Sequence, residues 1–327
     1  MASAQGVPGV RRPIQHLSDL SLAQLDACAL TIGSFDGFHL GHRALIRAVV
    51  EGAQAEGIPS AVVTFYPHPS VVLRGRAPAF YITTPEERAV LLGEAGVDLV
   101  ITQHFDHDLA AVTAEEFLDR LTRHLHFRDL WVGEDFALGH RRQGNVIFLE
   151  QAAARRGFRL HVLPPVLVGG EVVSSTRVRE ALRSGDVARA ASYLGRPFTL
   201  PGTVIQGAGR GKSLGIPTAN LNIGEERACP GPGVYACLAQ VLGRRAHAVT
   251  NIGFRPTFEG AASRPIVEAH LLDFDRDLYG ETMSLVFIER LRDERKFDGP
   301  AALLEQIQRD IRRARVILAA HGEGASA

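Results

Sequence analysis

Two histidines, His39 and His42, stand three residues apart around Gly41 in the stretch TIGSFDGFHLGHRAL, Thr31–Leu45. The apolar run Cys28–Ile32 comes before them and is broken by Gly33, Ser34, Asp36 and Gly37. Leu45, Ile46, Val49 and Val50 follow at helical spacing. The pattern is strand, Gly-rich turn and helix N-terminus, where unpaired backbone N–H groups and the positive dipole end form an anion site. Two imidazoles added there point to phosphate handling, because phosphoryl and nucleotidyl transfer need donors aimed at developing negative charge. Zinc would need further ligands, and His68 and His140 stand at no recognisable spacing. A histidine that only caps the turn is the bland alternative.

Other segments carry weaker versions of the same chemistry. Ser174-Ser175-Thr176-Arg177-Val178-Arg179 reads alone as a helix cap followed by surface arginines. Taken in the same domain as the His-x-Gly-His motif, its hydroxyls, N–H groups and arginine would hold a triphosphate. Gly139–Asn145 (GHRRQGN) is either a solvated basic loop or, directly after a strand, a flexible flap with Arg141 or Arg142 on phosphate. Gly207-Ala-Gly-Arg-Gly-Lys-Ser213 fails as a P-loop, since Gln206 stands where the first glycine is required and Pro217 interrupts any following helix. Its glycines can still cradle phosphate through their N–H groups. Thr218 and Asn220 alternate on an extended segment and offer two oxygens on one side, hard ligands of the kind Mg²⁺ on a nucleotide accepts. Their alternative is a β-bulge with polar edge residues. Glu268, inside Ile266–Leu272 (IVEAHLL), either faces solvent as alternate strand residues do or is a general base for a hydroxyl nucleophile.

Positioning these groups takes an alternating α/β chain. Strands are expected at Ser60–Phe65, Asp98–Thr102, Asp129–Val132 and Arg159–Leu163, with helices at Thr83–Ala95, Thr113–Leu125 and Asn145–Arg156 between them. That alternation indicates a doubly wound parallel sheet, whose ligands bind beyond the strand C-termini. GSFDGFHLGH, YPHP and GEDFALGHRRQGN each follow a strand directly. Around Gly195–Pro201 the texture changes to short β-like runs: Thr203–Ile205, Gly233–Leu242, Ala246–Ile252, Ile266–Leu272 and Met283–Ile288. With one clear helix, Ala301–Ala319, they suggest a small antiparallel barrel. The chain therefore divides into residues 1–190 and 191–327, with tails Met1–Gln5 and His321–Ala327 expected to be disordered.

Composition narrows the function. The 327 residues carry 36 Lys+Arg against 36 Asp+Glu, so the net charge is zero, which argues against a nucleic-acid or membrane-surface partner. Three cysteines, Cys28, Cys229 and Cys237, form no CxxC pair, which fits a reducing cytoplasm better than a disulfide framework. No apolar run approaches the ~18 residues of a membrane span.

From Thr31 to Arg315 the chain resembles the bacterial bifunctional riboflavin kinase/FMN adenylyltransferase family, also called FAD synthetase. The resemblance rests on GSFDGFHLGH, VVTFYPHP, VGEDF, VSSTRVREAL, GRGKSLGIPTANL, GVYA, NIGFRPTF, VEAHLLDFDRDLYG and LRDERKF, all in family order. It implies a Rossmann-like nucleotidyltransferase domain followed by a riboflavin kinase-like barrel with a C-terminal helix. Riboflavin would become FMN and FMN would become FAD, with ATP and Mg²⁺ used twice. A single-activity member or a non-catalytic flavin-binding protein that keeps the fold is the alternative. The resemblance gives His39 and His42 the transferring phosphate, and Gly33, Phe35, Asp36, Ser175, Thr176 and Arg177 the nucleotide. His68, Asp135 and Arg142 would line the nucleotide and flavin side of the first domain. In the barrel it makes Glu268 the base, Thr218 and Asn220 the metal ligands, and Gly207, Gly209, Gly211, Lys212 and Gly215 the cover over the phosphates. Asn251, Arg255 and Phe297 would border the flavin. The chain departs from the usual pattern at Ser34, where Asn is common, at His140, where Arg is common, and at Gly231-Pro232 before GVY.

Overall fold

The computed structural model describes residues 15–75, 80–207, 215–255 and 264–322. They form two compact units, one of residues 15–75 and Thr83–Val173, the other of residues 80–82 and the chain from Ser174 onward.

The first unit begins with β1 (Gln15–Leu17) and β2 (Cys28–Ile32), then α1 (Leu40–Glu56), β3 (Ser60–Tyr66), α2 (Pro69–Arg74) and α3 (Pro85–Glu94). It continues through β4 (Leu99–His104), α4 (His107–Ala111), α5 (Ala114–Leu125), β5 (Phe127–Gly133), a hairpin of β6 (Ala137–Leu138) and β7 (Gly144–Asn145), α6 (Val146–Arg156) and β8 (Arg159–Leu163). A small hairpin, β9 (Leu167–Val168) with β10 (Glu171–Val172), closes it. Helix starts follow local chemistry. Thr84 with Glu87 and Thr113 with Glu116 form capping boxes on α3 and α5, each satisfying two N-terminal donors reciprocally.

The sheet order is β1-β4-β3-β2-β5-β8, with every pairing parallel. All five residues of β2 are buried because helices cover both faces. Cys28, Leu30 and Ile32 join a core with Phe117, Leu118 and Leu121 of α5 and Leu149 of α6. Ala29 instead packs with Val49 and Ala53 of α1. Each fully buried leucine or phenylalanine in such a core contributes about 1.5–3 kcal/mol. From β2 the chain winds through β3 to β4 in one direction, and from β5 to β8 in the other. The order reverses between β2 and β5, which puts the ligand crevice of a doubly wound sheet at their C-terminal ends.

The second unit opens with α7 (Ser175–Arg183) and α8 (Val187–Leu194). A closed antiparallel barrel follows, of β11 (Phe198–Ile205), β12 (Ala219–Asn222), β13 (Gly233–Val241), β14 (Arg244–Arg255), β15 (Arg264–Leu271) and β16 (Thr282–Arg292). Its order is β11-β12-β15-β14-β13-β16, and α9 (Pro300–Gly322) ends the described chain. Tyr235, Cys237, Thr250, Ile252, Val267, Ala269 and Phe287 point to the barrel interior and are buried. The opposite face of Val234, Ala236, Val249 and Leu291 packs against Ala314 and Leu318 of α9.

The α7–α8 pair is fastened to the barrel through glycines. A Cβ on Gly185 would lie 2.7 Å from the Tyr235 hydroxyl, and one on Gly231 only 2.3 Å from the Arg183 carbonyl oxygen. The Gly231 N–H donates to Leu182 O (2.8 Å), and the Tyr235 hydroxyl donates to Gly231 O (2.5 Å). Gly231 therefore sits where a larger residue would push α7 away. The short strap at residues 80–82 belongs to this unit too. Phe80 and Tyr81 donate to Glu226 O (2.8 Å each), and Arg179 Nε donates to Phe80 O (2.8 Å) with its guanidinium 3.8 Å above the Phe80 ring.

The expected parallel sheet, barrel and C-terminal helix are all present, with the barrel strands running longer than their apolar cores. One expectation is corrected at the C-terminus: His321 and Gly322 close α9, where the His321 ring bonds Ile317 O (2.9 Å). Met1–Gln5 and residues 323–327 lie outside the described residues.

Candidate active sites

The His-x-Gly-His turn sits at the C-terminal end of β2. His39 is the N-cap of α1, in extended backbone, and its Nδ1 accepts from His42 N (3.3 Å). An accepting Nδ1 puts the proton of the neutral ring on Nε2, leaving that edge as a donor. The two imidazoles stack at 3.6 Å with 16° between their planes, and Phe35 meets His42 edge-on at 5.1 Å. Gly41 makes the stack possible, because a Cβ there would press on His39 Cε1 at 3.2 Å and Nδ1 at 3.3 Å. The helix start thus presents two stacked imidazoles together with its dipole.

The turn is held from beneath. Gly33 N donates to Val63 O (3.0 Å), and Thr64 Oγ1 donates to Ser34 O (3.0 Å). Asp36 is fully buried, and its Oδ1 accepts from Thr83 N (2.9 Å) and Thr83 Oγ1 (3.2 Å). Phe35, Gly37 and Phe38 all have positive φ (47°, 81° and 44°), conformations that cost energy for the two phenylalanines. Phe35 and Phe38 are buried in a core with Ile46, Val50, Val62, Leu92 and Val100, which fixes them there.

The companion loops follow the same rule. His68, after the cis Tyr66–Pro67 bond that ends β3, caps α2 by accepting from Ser70 N (3.0 Å). Beyond β5, exposed Asp135 and Arg142 are brought together, with Arg142 Nη2 donating to Asp135 O (2.7 Å). The GHRRQGN segment lies in the β6–β7 hairpin. His140 N donates to Val112 O (2.8 Å), and a Cβ on Gly139 would lie 2.4 Å from Ala114 N.

SSTRVR opens α7, as read. Ser174 is the N-cap and accepts from Arg177 N (3.3 Å), with Ser175, Thr176 and Arg177 in the first turn. By packing, α7 groups with the barrel unit. Arg179, at the end of the same motif, is buried on the Phe80 strap rather than exposed.

Barrel register assembles the second site. Glu268 pairs with Asn220 of β12 on one side and Asn251 of β14 on the other. Directly paired residues share a face, so these three half-buried side chains form one lateral row on the barrel's outer side. Gly207 closes against it: a Cβ there would lie 2.0 Å from Asn220 Nδ2. His270 holds the incoming PTAN segment, its Nδ1 bonding Pro217 O (2.8 Å), which sets half-buried Thr218 beside the row. Asn251 Nδ2 reaches Glu294 Oε1 (3.5 Å), and a Cβ on Gly253 would strike that same oxygen at 2.6 Å. The LRDERKF segment carrying Glu294 is anchored by Arg292 Nε on Asp310 (2.9 Å), and Phe297 lies under the Arg295 guanidinium at 4.8 Å. Gly215 has left-handed φ (74°) and open space around it. Gly209, Gly211 and Lys212 lie outside the described residues, as does the side chain of Arg255.

Thr83 and Arg88 were missed from the sequence, and Glu294 and His270 were quoted within the LRDERKF and VEAHLLDFDRDLYG segments without being singled out. Each acts through a partner distant in the chain. Cysteine catalysis has no support here: burial pushes the Cys28, Cys229 and Cys237 thiols up to about 12, where the nucleophilic thiolate is scarce. Among the described residues, no helix is long and apolar enough to cross a membrane.

A Gly207→Ala substitution is expected to displace the Asn220 amide from the row, because the new methyl would lie 2.0 Å from Asn220 Nδ2.

Comparison with known proteins finds matches to both halves of the chain. A family profile described as FAD synthetase matches residues 21–177, and one described as riboflavin kinase matches residues 194–318. The bifunctional riboflavin kinase/FMN adenylyltransferase of Escherichia coli K12 is 39% identical over 300 residues, covering 91% of this chain and 95% of that protein. The protein of the same name from Bacillus subtilis is 33% identical over 300 residues, covering 91% and 94%. A crystal structure from Streptococcus pneumoniae, described as a macrolide-efflux protein, superposes with a TM-score of 0.84 at 29% identity, covering 92% of this chain and 98% of that one. With both family profiles matched in order and such identity across nearly the full length, the chain belongs to the bifunctional riboflavin kinase/FMN adenylyltransferase family.

Proposed function

We propose that this chain makes FAD from riboflavin in two ATP-dependent steps, each at its own site. In the first, the ribityl 5′-hydroxyl attacks the γ-phosphorus of ATP, Glu268 takes the hydroxyl proton, and ADP leaves. In the second, a phosphate oxygen of FMN attacks the α-phosphorus of a second ATP and pyrophosphate leaves, with no covalent enzyme intermediate. The observation that carries this reading is the presence of two separate constellations. One is a stacked histidine pair at a helix N-terminus on the switch point, suited to developing phosphate charge. The other is a carboxylate in register with two amides on the barrel.

The residue roles follow. His39 and His42 stabilise the transferring phosphate, Ser175, Thr176 and Arg177 take the triphosphate, and Gly33 and Phe35 shape the nucleotide turn. Asp36 serves that turn from below. His68, Asp135 and Arg142 line the FMN side; Asn251, Arg255 and Phe297 border riboflavin. We assign adenylyl transfer to residues 1–190 and phosphorylation to residues 191–327.

Magnesium fits the donor set of the barrel site. Thr218 and Asn220 supply neutral hard oxygens beside the Glu268 carboxylate, and the glycine at 207 leaves the Asn220 amide its space. Bound with ATP, the ion would neutralise phosphate charge during transfer. The substrates are the small molecules riboflavin, FMN and ATP, with no nucleic-acid or membrane partner. The setting is the cytoplasm, in keeping with balanced charge and unpaired cysteines.

Incubation with riboflavin, ATP and Mg²⁺, with chromatographic separation of products, tests the reading. FMN and then FAD are expected. No FMN would overturn the kinase assignment, and FMN accumulating without FAD would overturn the adenylyltransferase assignment.

A further inference from the structure

A carboxylate inside an anion-binding turn is an electrostatic contradiction, and Asp36 occupies that position. Its side chain is fully enclosed, three residues before His39, within the turn assigned to a polyanionic nucleotide. Unbalanced, it would repel the triphosphate it stands beneath.

The balancing charge comes from Arg88 on α3, whose side chain is likewise fully buried. Its Nη2 lies 4.0 Å from Asp36 Oδ1, and its Nη1 donates to Thr64 Oγ1 (3.0 Å) and Phe65 O (3.3 Å). Thr64 passes this on, donating in turn to Ser34 O (3.0 Å). Thr83 does the equivalent one turn of chain away. Its hydroxyl donates to Asp36 and accepts from Gly37 N (2.9 Å). One buried guanidinium therefore reaches the turn at Asp36 directly and at Ser34 through one hydroxyl. Between and beyond those two points lie the positive-φ residues Phe35, Gly37 and Phe38 that deliver His39 to its capping position.

We propose that Arg88 is a positioning residue of adenylyl transfer: it cancels the Asp36 charge and locks the Ser34–Phe38 turn, so that the stacked His39 and His42 meet the transferring phosphate. Arg88 touches no substrate. Its Nη1 donates to Thr64 while its Nη2 places positive charge 4.0 Å from Asp36 Oδ1, a span that the planar guanidinium covers and the compact point charge of a lysine matches only in part. The inference rests on the adenylyl-transfer reading of this turn.

The test is steady-state kinetics of FAD formation from FMN and ATP for the parent chain, Arg88→Met, Arg88→Lys and Thr64→Val. Far-ultraviolet circular dichroism and melting midpoints of the same samples measure the folded fraction, and riboflavin phosphorylation controls for enzyme concentration. Misplacing the histidines by an ångström would cost about 100-fold, so Arg88→Met is expected to lower kcat for FAD by ~30- to 100-fold. The KM for ATP should shift less than about threefold, since the lost interaction acts on the transition state. Arg88→Lys should recover part of that loss, and Thr64→Val should show a smaller fall. The losses should persist on cooling well below each variant's melting midpoint, because they belong to the folded molecule. A purely structural role predicts instead that the loss disappears on cooling, with kcat per folded molecule unchanged. That result overturns the proposal, as does kcat within twofold of the parent in folded Arg88→Met. Should Arg88→Met fail to fold, Arg88→Lys and Thr64→Val decide: lowered FAD kcat with intact FMN formation supports the proposal, and parent-like kcat in both overturns it. Absence of FAD from the parent chain itself overturns the adenylyl-transfer reading, and this inference falls with it.

Discussion

Replacing His42 with alanine should lower FAD formation from supplied FMN by on the order of 10²–10³-fold, the usual cost of one preorganised donor to a developing oxyanion. The geometry makes the loss larger than a single contact. The His42 ring lies on the His39 ring at 3.6 Å and against the edge of Phe35 at 5.1 Å, so its removal also releases the face that orients His39. The backbone bond from His42 N to His39 Nδ1 survives the substitution, and α1 should keep its cap. The fall should therefore appear in kcat more than in the KM for ATP. Conversion of riboflavin to FMN should continue at the parent rate, leaving FMN as the end product on the chromatogram.

The converse experiment has a comparable effect. Glu268→Ala removes the proposed base from the barrel row, and general base catalysis typically contributes about 10²–10⁴-fold. FMN formation from riboflavin should drop by that range, while FMN added directly is still converted to FAD. Glu268 is half-buried and flanked in register by two amides, so its truncation leaves no opposite charge stranded and the barrel should stay folded. Loss of both reactions from either variant, in chains that remain folded, would show that the two sites are not independent.

Much of this was legible because it is local. The Thr84 and Thr113 capping boxes, the apolar run of β2 and the glycines around His39 all announce their structure within a few residues. The alternation of strands and helices gave the parallel sheet, and the sheet's winding then placed the histidine turn on the switch point. The barrel row was legible only as separate pieces. Asn220, Asn251 and Glu268 could each be singled out, but their alignment depends on strand pairings across dozens of residues. Buried arginines were not legible at all. Arg88 lies in a helix whose sequence reads Pro-Glu-Glu-Arg, as though on a solvated surface, and Arg179 stands in a motif that suggests a ligand contact. Each is buried because a partner far along the chain satisfies it: Thr64 for Arg88 and the Phe80 carbonyl for Arg179. Charge patterning reports which residues prefer water, and it fails where the fold supplies a better partner.

The glycine seam between α7 and the barrel bears on where this polypeptide can be cut. A fragment ending at residue 190 would keep the SSTRVR helix yet lose Gly231, whose N–H donates to Leu182 O, and the Tyr235 and Arg290 groups packed against Gly185. Leu182, now buried, would face solvent, and so would Val187 and Ala190 of α8. A kinase fragment starting at residue 191 would leave the matching barrel surface bare. A cut before Ser174 keeps α7 and α8 as part of the barrel's own outer layer, and it gives up the residue 80–82 strap that bonds Glu226 and Arg179.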